Sequence, residues 1–255
     1  MSDLIQWPTA KYWTAQWNPV IGCKPCSPAC ENCYAAAWAK RFGQSFEPHE
    51  TRQKPPRKGV VFCGNMTDLF GEWCGVCDST AYIAQASLRS LQTDGAAQYL
   101  WLTKRADRMC NAIRHLDRVL EHPEIRLSCQ HFGFTAENQE CYDRRVREFR
   151  ACMPYWANCW LSVEPLIGQV DLGLQYIAPE DCPFGWVVVG CESGQDRRPC
   201  KIEWVESVVA QCLSAWIPVF VKQLDLNGRC ETDINKFPKH LRIRQVPWAK
   251  EGENK

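Results

Sequence analysis

Short apolar runs recur along the chain, and a polar cluster follows each of them. The runs have the length of strands, are rich in β-branched and aromatic residues, and are apolar at consecutive rather than alternate positions. Such continuous runs are typical of parallel strands that are covered on both faces. Seven strands are predicted, at about residues 13–21, 60–63, 99–102, 131–134, 160–163, 186–189 and 219–221.

Helical patterns lie between these runs. The first is rich in alanine and stops before Gly43, and Ser79 is placed to cap the second. The alternation of strands and helices indicates an α/β protein with a parallel sheet, either a (βα) barrel or a doubly wound sheet. Five helices are predicted, at residues 33–42, 79–92, 106–120, 139–151 and 202–215.

The polar clusters at the strand ends are the first pointer to function. In a (βα) barrel the active site is built at the carboxyl ends of the strands. Any single cluster is also explained by solvent beginning where a strand ends. Six clusters that share one edge favour a site. The clusters are Asn65 with Asp68, Lys104 with Arg105, Glu137 with Asn138, Ser162 with Glu164, Glu192 with Ser193, and Lys222 with Gln223.

Composition limits the partners and the compartment. The chain has 255 residues, 45% of them hydrophobic, and a net charge of +1, so no global field draws it to nucleic acid or to a membrane surface. The basic loop at residues 52–58 is a local exception, or else a solvated charge run. No apolar stretch of 18 residues and no signal-peptide pattern is present, so we expect a cytoplasmic protein without a membrane span.

Cysteine is unusually frequent, at 17 residues. In a reducing cytosol, clustered cysteines bind metal more often than they pair with one another. Scattered cysteines are expected to be small buried apolar residues. The scattered ones are Cys110, Cys129, Cys141, Cys152, Cys159 and Cys212.

Four cysteines stand close together in the segment GCKPCSPACENCY: Cys23, Cys26, Cys30 and Cys33. Two spacings are possible, because either Cys23 or Cys26 can join Cys30 and Cys33. Each spacing places three thiolates on one short loop, as an iron–sulfur cluster needs. Three ligands to a four-iron cluster leave one iron open for chemistry.

The chain resembles the radical S-adenosylmethionine (SAM) superfamily. The resemblance rests on segments around these cysteines and around the strand ends, which occur in the same order along the chain. The chain is most similar to a phage and bacterial radical-SAM-like family of undefined function. The resemblance implies a partial or near-complete (βα) barrel of about six or seven parallel strands, with one domain over residues 1–248 and a disordered polar tail at 249–255. The segments are WNPVIGC at 17–23, SPACENCYA at 27–35, MTDLF at 66–70, LWLTKR at 100–105, LSVEPLIG at 161–168, WVVVGCESG at 186–194 and VFVKQ at 219–223.

The resemblance also implies a reaction. In the family pattern the first cysteine follows an Asn-Pro-x-x-Gly element, which selects Cys23, Cys30 and Cys33 for a [4Fe-4S] cluster. The commoner superfamily spacing selects Cys26 in place of Cys23, and this alternative stays open. The open iron would chelate SAM, and one electron would cleave it to methionine and a 5′-deoxyadenosyl radical.

By the same resemblance, strand-end residues contact SAM. Asn65 and Asp68 are expected near the methionine amino group, and Lys104 is expected to pair with the carboxylate. The remaining three are assigned to the ribose hydroxyls: Glu137, Ser162 and Glu164. Pro165 fixes an extended backbone after Glu164, which favours an inward carboxylate.

The phage setting of the family implies a nucleic-acid base as substrate, with hypermodified thymine in phage DNA as the specific case. The implied partners are a DNA or nucleotide substrate and an electron donor of the flavodoxin or ferredoxin type, in the host cytoplasm if a phage encodes the protein. Two alternatives remain. One is a radical SAM enzyme acting on a peptide or small metabolite, and the other is a non-enzymatic nucleic-acid-binding module that holds zinc or an iron–sulfur cluster.

Other cysteines carry weaker signals. Cys74 and Cys77 form a second Cys-x2-Cys, which would need two more ligands to hold a metal. Cys63 and Cys191 each stand at a strand end, where a thiol can donate a hydrogen atom to a product radical or simply fill buried space. Cys191 is the predicted catalytic cysteine. The candidate partners of the second Cys-x2-Cys are Cys182, Cys191, Cys200 and Cys230.

Overall fold

The computed structural model describes residues 6–92, 97–120, 127–155, 157–177 and 181–247. A strand is present at each of the seven predicted positions, although the first is shorter than predicted. These strands are joined by one further strand to form an eight-stranded sheet in the order β1-β4-β5-β6-β7-β8-β9-β10. Its strands are β1 Ala15–Trp17, β4 Val60–Cys63, β5 Gln98–Thr103, β6 Gln130–Thr135, β7 Asn158–Val163, β8 Val187–Gly190, β9 Val219–Leu226 and β10 Arg229–Glu231.

The strand order decides between the two predicted architectures. Each strand from β4 to β9 is followed in the sheet by the next strand of the chain, and the pairings of β1 with β4, β4 with β5, β5 with β6, β7 with β8 and β8 with β9 are parallel. A doubly wound sheet would reverse its order at a switch point. The observed order is therefore that of successive βα units, and in the described residues β1 and β10 are its two ends, as in a partial barrel.

The prediction of one strand over residues 13–21 was wrong. β1 ends at Trp17, and a separate strand, β2 (Val20–Ile21), pairs antiparallel with β3 (His49–Glu50). Pro19 lies at the break and has no N–H to donate to a ladder. The Asn18 side chain bonds to residues that follow β4, so the chain leaves the main sheet at this point.

The five predicted helices are all present. The second begins earlier than predicted, because its N-cap is Gly75, whose N–H donates to the Asp78 carboxylate at 2.8 Å. Ser79 was therefore the wrong cap; its hydroxyl donates to the Leu69 carbonyl from within the helix. The helices are α1 Tyr34–Arg41, α2 Val76–Leu91, α3 Ala106–Val119, α4 Gln139–Arg150 and α5 Ile202–Ser214.

The antiparallel strand β10 was missed. It forms a hairpin with β9 through the two residues Asn227 and Gly228, both with positive φ, at 52° and 69°. Asn-Gly between two strands is a strong sequence signal for a tight hairpin turn, so this element was available from the sequence.

The chain divides into two compact units. The cysteine-loop unit comprises Trp13–Phe134 and Arg144–Cys159, and the C-terminal unit comprises the residues up to Tyr12, Thr135–Asp143 and Trp160 onward. Each has an aromatic core, with contacts such as Trp17–Trp101 in the first and Trp160–Trp186 in the second. The single domain over 1–248 remains a prediction, and the predicted tail at 249–255 lies outside the described residues.

Two of the scattered cysteines are not simple buried fillers. Cys110 on α3 and Cys152 just after α4 form a disulfide, with their Cα atoms 5.7 Å apart. That separation is typical of a disulfide, and it results from the packing of two helices, which cysteine spacing does not reveal. The expectation holds for three others, which are buried and lie outside any disulfide: Cys129, Cys141 and Cys212.

Candidate functional site

The cysteine loop, residues 22–33, is fixed to the end of β4. Gly22 donates its N–H to the Met66 carbonyl at 3.1 Å and accepts a hydrogen bond from the Thr67 hydroxyl at 2.6 Å. Gly22 has φ +96°, and a Cβ there would lie 2.4 Å from the Glu47 carbonyl oxygen. Only glycine fits this position, so the loop begins at a rigid point on the carboxyl edge of the sheet.

Three thiols of this loop interact with one another. Cys26 donates a hydrogen bond to the Cys30 sulfur, and Cys23 is close enough to Cys30 for their charges to interact. Cys30 closes a short 3-10 helix over Pro28–Cys30. Cys33 follows as the N-cap of α1, with its N–H donating to the Cys30 carbonyl at 3.3 Å. The backbone of the loop therefore brings these thiols close to one another.

The three thiols differ in acidity. The hydrogen bond from Cys26 lowers the pKa of Cys30 to about 4, and the Lys104 charge contributes. Burial, with the nearby Asp68 carboxylate, raises the pKa of Cys23 to about 11. Donation to Cys30, together with burial, raises the pKa of Cys26. At neutral pH Cys30 is a thiolate, the form that binds metals, whereas Cys23 and Cys26 must lose a proton to become ligands.

A buried ion pair lies beside the loop. Asp68 and Arg105 are each 7% exposed, and the Arg105 Nη1 donates to the Asp68 Oδ2 at 3.1 Å. Arg105 also bonds to Glu72 at 3.1 Å and to the Lys24 carbonyl at 3.1 Å, and its guanidinium lies 5.0 Å from the centre of the Trp73 ring. Arg105 thus joins the cysteine loop to the end of β5.

Protein groups satisfy the Asp68 carboxylate on several sides. It accepts hydrogen bonds from the Thr103 hydroxyl at 2.8 and 2.9 Å, from the N–H of Phe70 at 3.0 Å and from the N–H of Lys104 at 3.2 Å. These contacts, with Arg105, give Asp68 a structural task in addition to the predicted contact with the methionine amino group. The role of Arg105 was missed, although it stands next to Lys104 in the LTKR segment.

Asn65 lies at the same edge. Its Oδ1 accepts a hydrogen bond from the Asn18 side chain at 2.7 Å, and its carbonyl accepts one from the Tyr34 hydroxyl on α1. Asn65, Asp68 and Lys104 therefore belong to the same unit as the cysteine loop, and their contacts with SAM stay a prediction. No role was predicted for Asn18, although it is the asparagine of the Asn-Pro-x-x-Gly element that precedes Cys23.

The other four predicted residues belong to the C-terminal unit. Glu137 and Ser162 are buried, at 0% and 1% exposed, and their carbonyls accept from the N–H groups of Ile167 and Ala136. Glu164, joined to Pro165 by a cis bond, pairs with Lys222.

Cys191 follows β8 directly and exchanges backbone and side-chain hydrogen bonds with Gln223 on β9. Because β7, β8 and β9 are parallel, Glu164, Cys191 and Lys222 lie at one edge of this unit. Lys222 was predicted as a strand-end residue, but its partner could not be read from the sequence.

The described side chains do not form a preorganised metal site. In the part of the chain that the structure describes, no three His, Cys, Asp or Glu side chains are arranged to hold a metal ion. The donor chemistry of the cysteine loop suits an iron–sulfur cluster, because it offers several thiols and one thiolate, but the thiols are not in ligating positions. Cys74 and Cys77 belong to the cysteine-loop unit, and their four candidate partners to the C-terminal unit.

Fold and site together define a class of protein: an α/β protein whose mostly parallel sheet has the order of successive βα units and carries a four-cysteine loop at its carboxyl edge. The chain belongs to the family described as protein of unknown function (DUF5131), whose model matches residues 8–242. No curated protein and no solved structure matches the chain. None of the described helices is both long and apolar enough to cross a membrane.

Proposed function

We propose that this protein is a radical SAM enzyme that holds a [4Fe-4S] cluster on the cysteine loop and acts on a nucleic-acid base. The observation that carries the proposal is the grouping of Cys23, Cys26 and Cys30 beside Lys104 and Arg105 at the carboxyl edge of the sheet. The same proposal includes the type of fold, which would be a partial barrel of the radical SAM type.

The residues that would hold the cluster are Cys23, Cys30 and Cys33, with Cys26 as the alternative to Cys23. The family spacing favours Cys23, whereas the hydrogen bond between Cys26 and Cys30 favours Cys26. When bound and reduced, the cluster supplies the electron that cleaves SAM. The protein supplies positive charge: Lys104 interacts with Cys30, and Arg105 with Cys23 and Cys26, which favours the thiolate forms that ligation requires.

The residues predicted to contact ribose belong to the C-terminal unit. Glu164 is held by Lys222, with side chains 14% and 19% exposed, so the carboxylate is oriented rather than solvated. In the proposal, Glu164 accepts hydrogen bonds from ribose hydroxyls. Lys104 pairs with the methionine carboxylate, and Asn65 and Asp68 are near the amino group. Glu137 and Ser162 support the ribose from buried positions, and Cys191 donates a hydrogen atom to the product radical.

The surface of α1 supports a nucleic-acid substrate. Tyr34, Trp38 and Phe42 are 52%, 46% and 56% exposed, and their spacing of four residues places them on one helical face. The Arg41 guanidinium lies 5.8 Å from the Phe42 ring, and the helix sequence YAAAWAKR contains no acidic residue. Exposed aromatic rings with adjacent basic groups are typical of surfaces on which unpaired bases stack. This combination favours nucleic acid over a peptide or a small metabolite.

Anaerobic reconstitution tests the chemistry. We expect about four iron atoms per chain and formation of 5′-deoxyadenosine from SAM under dithionite. C30A and C33A should lose both the bound iron and the formation of 5′-deoxyadenosine. C77A, which removes an exposed thiol outside the loop, is the matched control and should keep both. A colourless zinc protein, or a cluster that never cleaves SAM, would instead support the non-enzymatic module.

The ligand register and the substrate need separate measurements. If C23A keeps its iron and C26A loses it, Cys26 is the first ligand. Replacing Trp38 with alanine should weaken binding of single-stranded DNA in a gel shift, by the loss of about 1–3 kcal/mol of stacking. Mass spectrometry of nucleosides from DNA, with and without the gene, then identifies the modified base. Binding that does not depend on salt would favour the small-metabolite alternative.

A further inference from the structure

Two cysteines of the C-terminal unit form a hydrogen-bonded thiol pair. Cys191, directly after β8, donates to Cys230 on β10, with the two sulfurs 3.8 Å apart. Cys191 is fully buried, whereas Cys230 is half-buried and lies on the hairpin strand that ends the sheet order. The pair therefore combines a reachable sulfur with a protected one.

The charges around the pair favour a thiolate on Cys230. The hydrogen bond from Cys191 lowers the pKa of Cys230, and the positive charges of Arg197 and Lys222 add to this effect, against the opposing charge of Glu164. Arg197 is held near the hairpin by contacts with Asp225, at 3.5 Å, and with the Gly228 carbonyl.

The pKa of Cys191 shifts in the opposite direction. Its donated hydrogen bond, burial and the charges of Cys200 and Asp225 raise its pKa. One sulfur is thus prepared to attack, and the other keeps its proton until an attack has occurred.

We propose that Cys191 and Cys230 form a redox-active dithiol that exchanges with an external low-molecular-weight disulfide of the glutathione type. Cys230 is the attacking thiol and Cys191 the resolving thiol. The proposal shares Cys191 with the function proposed above, but it uses neither the cysteine loop nor SAM, so the thiol exchange can be tested in protein that carries no cluster.

The exchange is balanced in two steps. The Cys230 thiolate attacks the external disulfide, forms a mixed disulfide and releases one glutathione thiolate. Cys191 then loses its proton to solvent and attacks the Cys230 sulfur, which breaks the mixed disulfide and releases the second glutathione thiolate. The dithiol loses two electrons and the external disulfide gains two. Excess reduced glutathione reverses both steps.

Geometry assigns the two roles. An external disulfide can reach Cys230 but not the buried Cys191. Closing the sulfur–sulfur distance from 3.8 Å to the bond length of about 2.05 Å needs a shift of the hairpin. Among the described residues, β10 is hydrogen-bonded only to β9. The shift of the hairpin therefore changes a single strand pairing.

Cys200 is the competing partner. It is buried, it lies close enough to Cys191 to contribute to the raised pKa of that thiol, and its N–H donates to Asp225 at 3.2 Å. Any test must therefore identify which cysteines become linked, not only count the thiols lost.

The test equilibrates the full-length protein with graded ratios of reduced and oxidised glutathione, quenches in acid, alkylates and maps linked peptides by mass spectrometry. We expect a Cys191–Cys230 disulfide with a single two-electron midpoint. C191S should accumulate a mixed disulfide of Cys230 with glutathione, whereas C230S should leave Cys191 as a free thiol. C212S, which alters a fully buried free cysteine of α5, is the matched control and should leave the midpoint unchanged.

A second readout uses the unaltered protein, in case a variant fails to fold. The alkylation rate of Cys230 in the reduced protein should reach half its maximum below the ordinary thiol pKa of about 8.5. The proposal is overturned if both sulfurs stay reduced at the most oxidising ratio, or if Cys191 links to Cys200 instead. It is also overturned if the two thiols resist alkylation until a chelator removes zinc, because the pair would then be a metal site.

Discussion

The ion pair between Asp68 and Arg105 should contribute substantially to the stability of the cysteine-loop unit. In D68N the side chain keeps its shape but loses its charge, so Arg105, which is 7% exposed, loses its buried counterion. Removing one partner of a buried ion pair lowers the free energy of unfolding by about 3–5 kcal/mol. Glu72 still contacts Arg105, although the Glu72 side chain is 64% exposed. We therefore expect a loss of stability at the lower end of this range, about 3 kcal/mol.

Urea unfolding followed by tryptophan fluorescence and by far-UV circular dichroism measures this cost. The midpoint should fall while the slope stays constant, as expected when only stability changes. E47Q is the control, because it alters the exposed pair of Lys24 and Glu47, whose side chains are 62% and 79% exposed. An exposed pair contributes little, so its midpoint should not move measurably.

A double variant tests whether Asp68 and Arg105 act as a coupled pair. D68N/R105M removes both charges, and the methionine still fills apolar space against Trp73. We expect the double variant to be clearly more stable than the sum of the two single changes predicts, because neither charge is left buried alone. A D68N cost below about 1 kcal/mol, or strictly additive effects, would show that the pair is not a coupled buried unit.

Three further outcomes follow from the site. Because the folded-state pKa of Cys30 is about 4, against an ordinary value of 9.0, its alkylation in the metal-free protein should stay fast at pH 6 and slow only near pH 4, and C26A should raise that midpoint. The depressed pKa also stabilises the metal-free fold at alkaline pH, and this stabilisation should be lost progressively as pH falls from about 9 to about 4 in urea titrations. G22A should weaken iron binding on reconstitution, since its Cβ would clash with the Glu47 carbonyl, whereas G173A, with open space around its Cβ, should not.

The sequence predicted the elements of the fold better than their ends. Seven strands and five helices follow from apolar periodicity, because buried parallel strands and amphipathic helices leave strong local patterns. The break at Pro19 and the cap at Gly75 depend on single backbone bonds, which periodicity does not contain. The hairpin at Asn227 and Gly228 is different, because its turn signal was present in the sequence.

The position of a residue along a strand could be predicted from the sequence. Asn65 follows β4 and Lys104 follows β5, because apolar runs that end in polar residues mark the ends of parallel strands. Partners could not be predicted in the same way. The pairing of Arg105 with Asp68, of Lys222 with Glu164 and of Cys191 with Cys230 each joins residues that are distant in sequence, and such contacts arise only when strands are placed side by side.

The metal-free loop constrains the choice between Cys23 and Cys26 in a specific way. The hydrogen bond between Cys26 and Cys30 raises the pKa of Cys26 and lowers that of Cys30, and it needs a proton on one of the two sulfurs. Metal binding removes that proton, so the hydrogen bond that holds Cys26 in place disappears on ligation. Cys23 is held differently, by the backbone N–H of Asp68 on its sulfur, a bond that strengthens when the thiol ionises. The N–H of Asp68 on the Cys23 sulfur therefore supports Cys23 as the thiolate ligand, in agreement with the family spacing, and is the argument to set against the contact between Cys26 and Cys30.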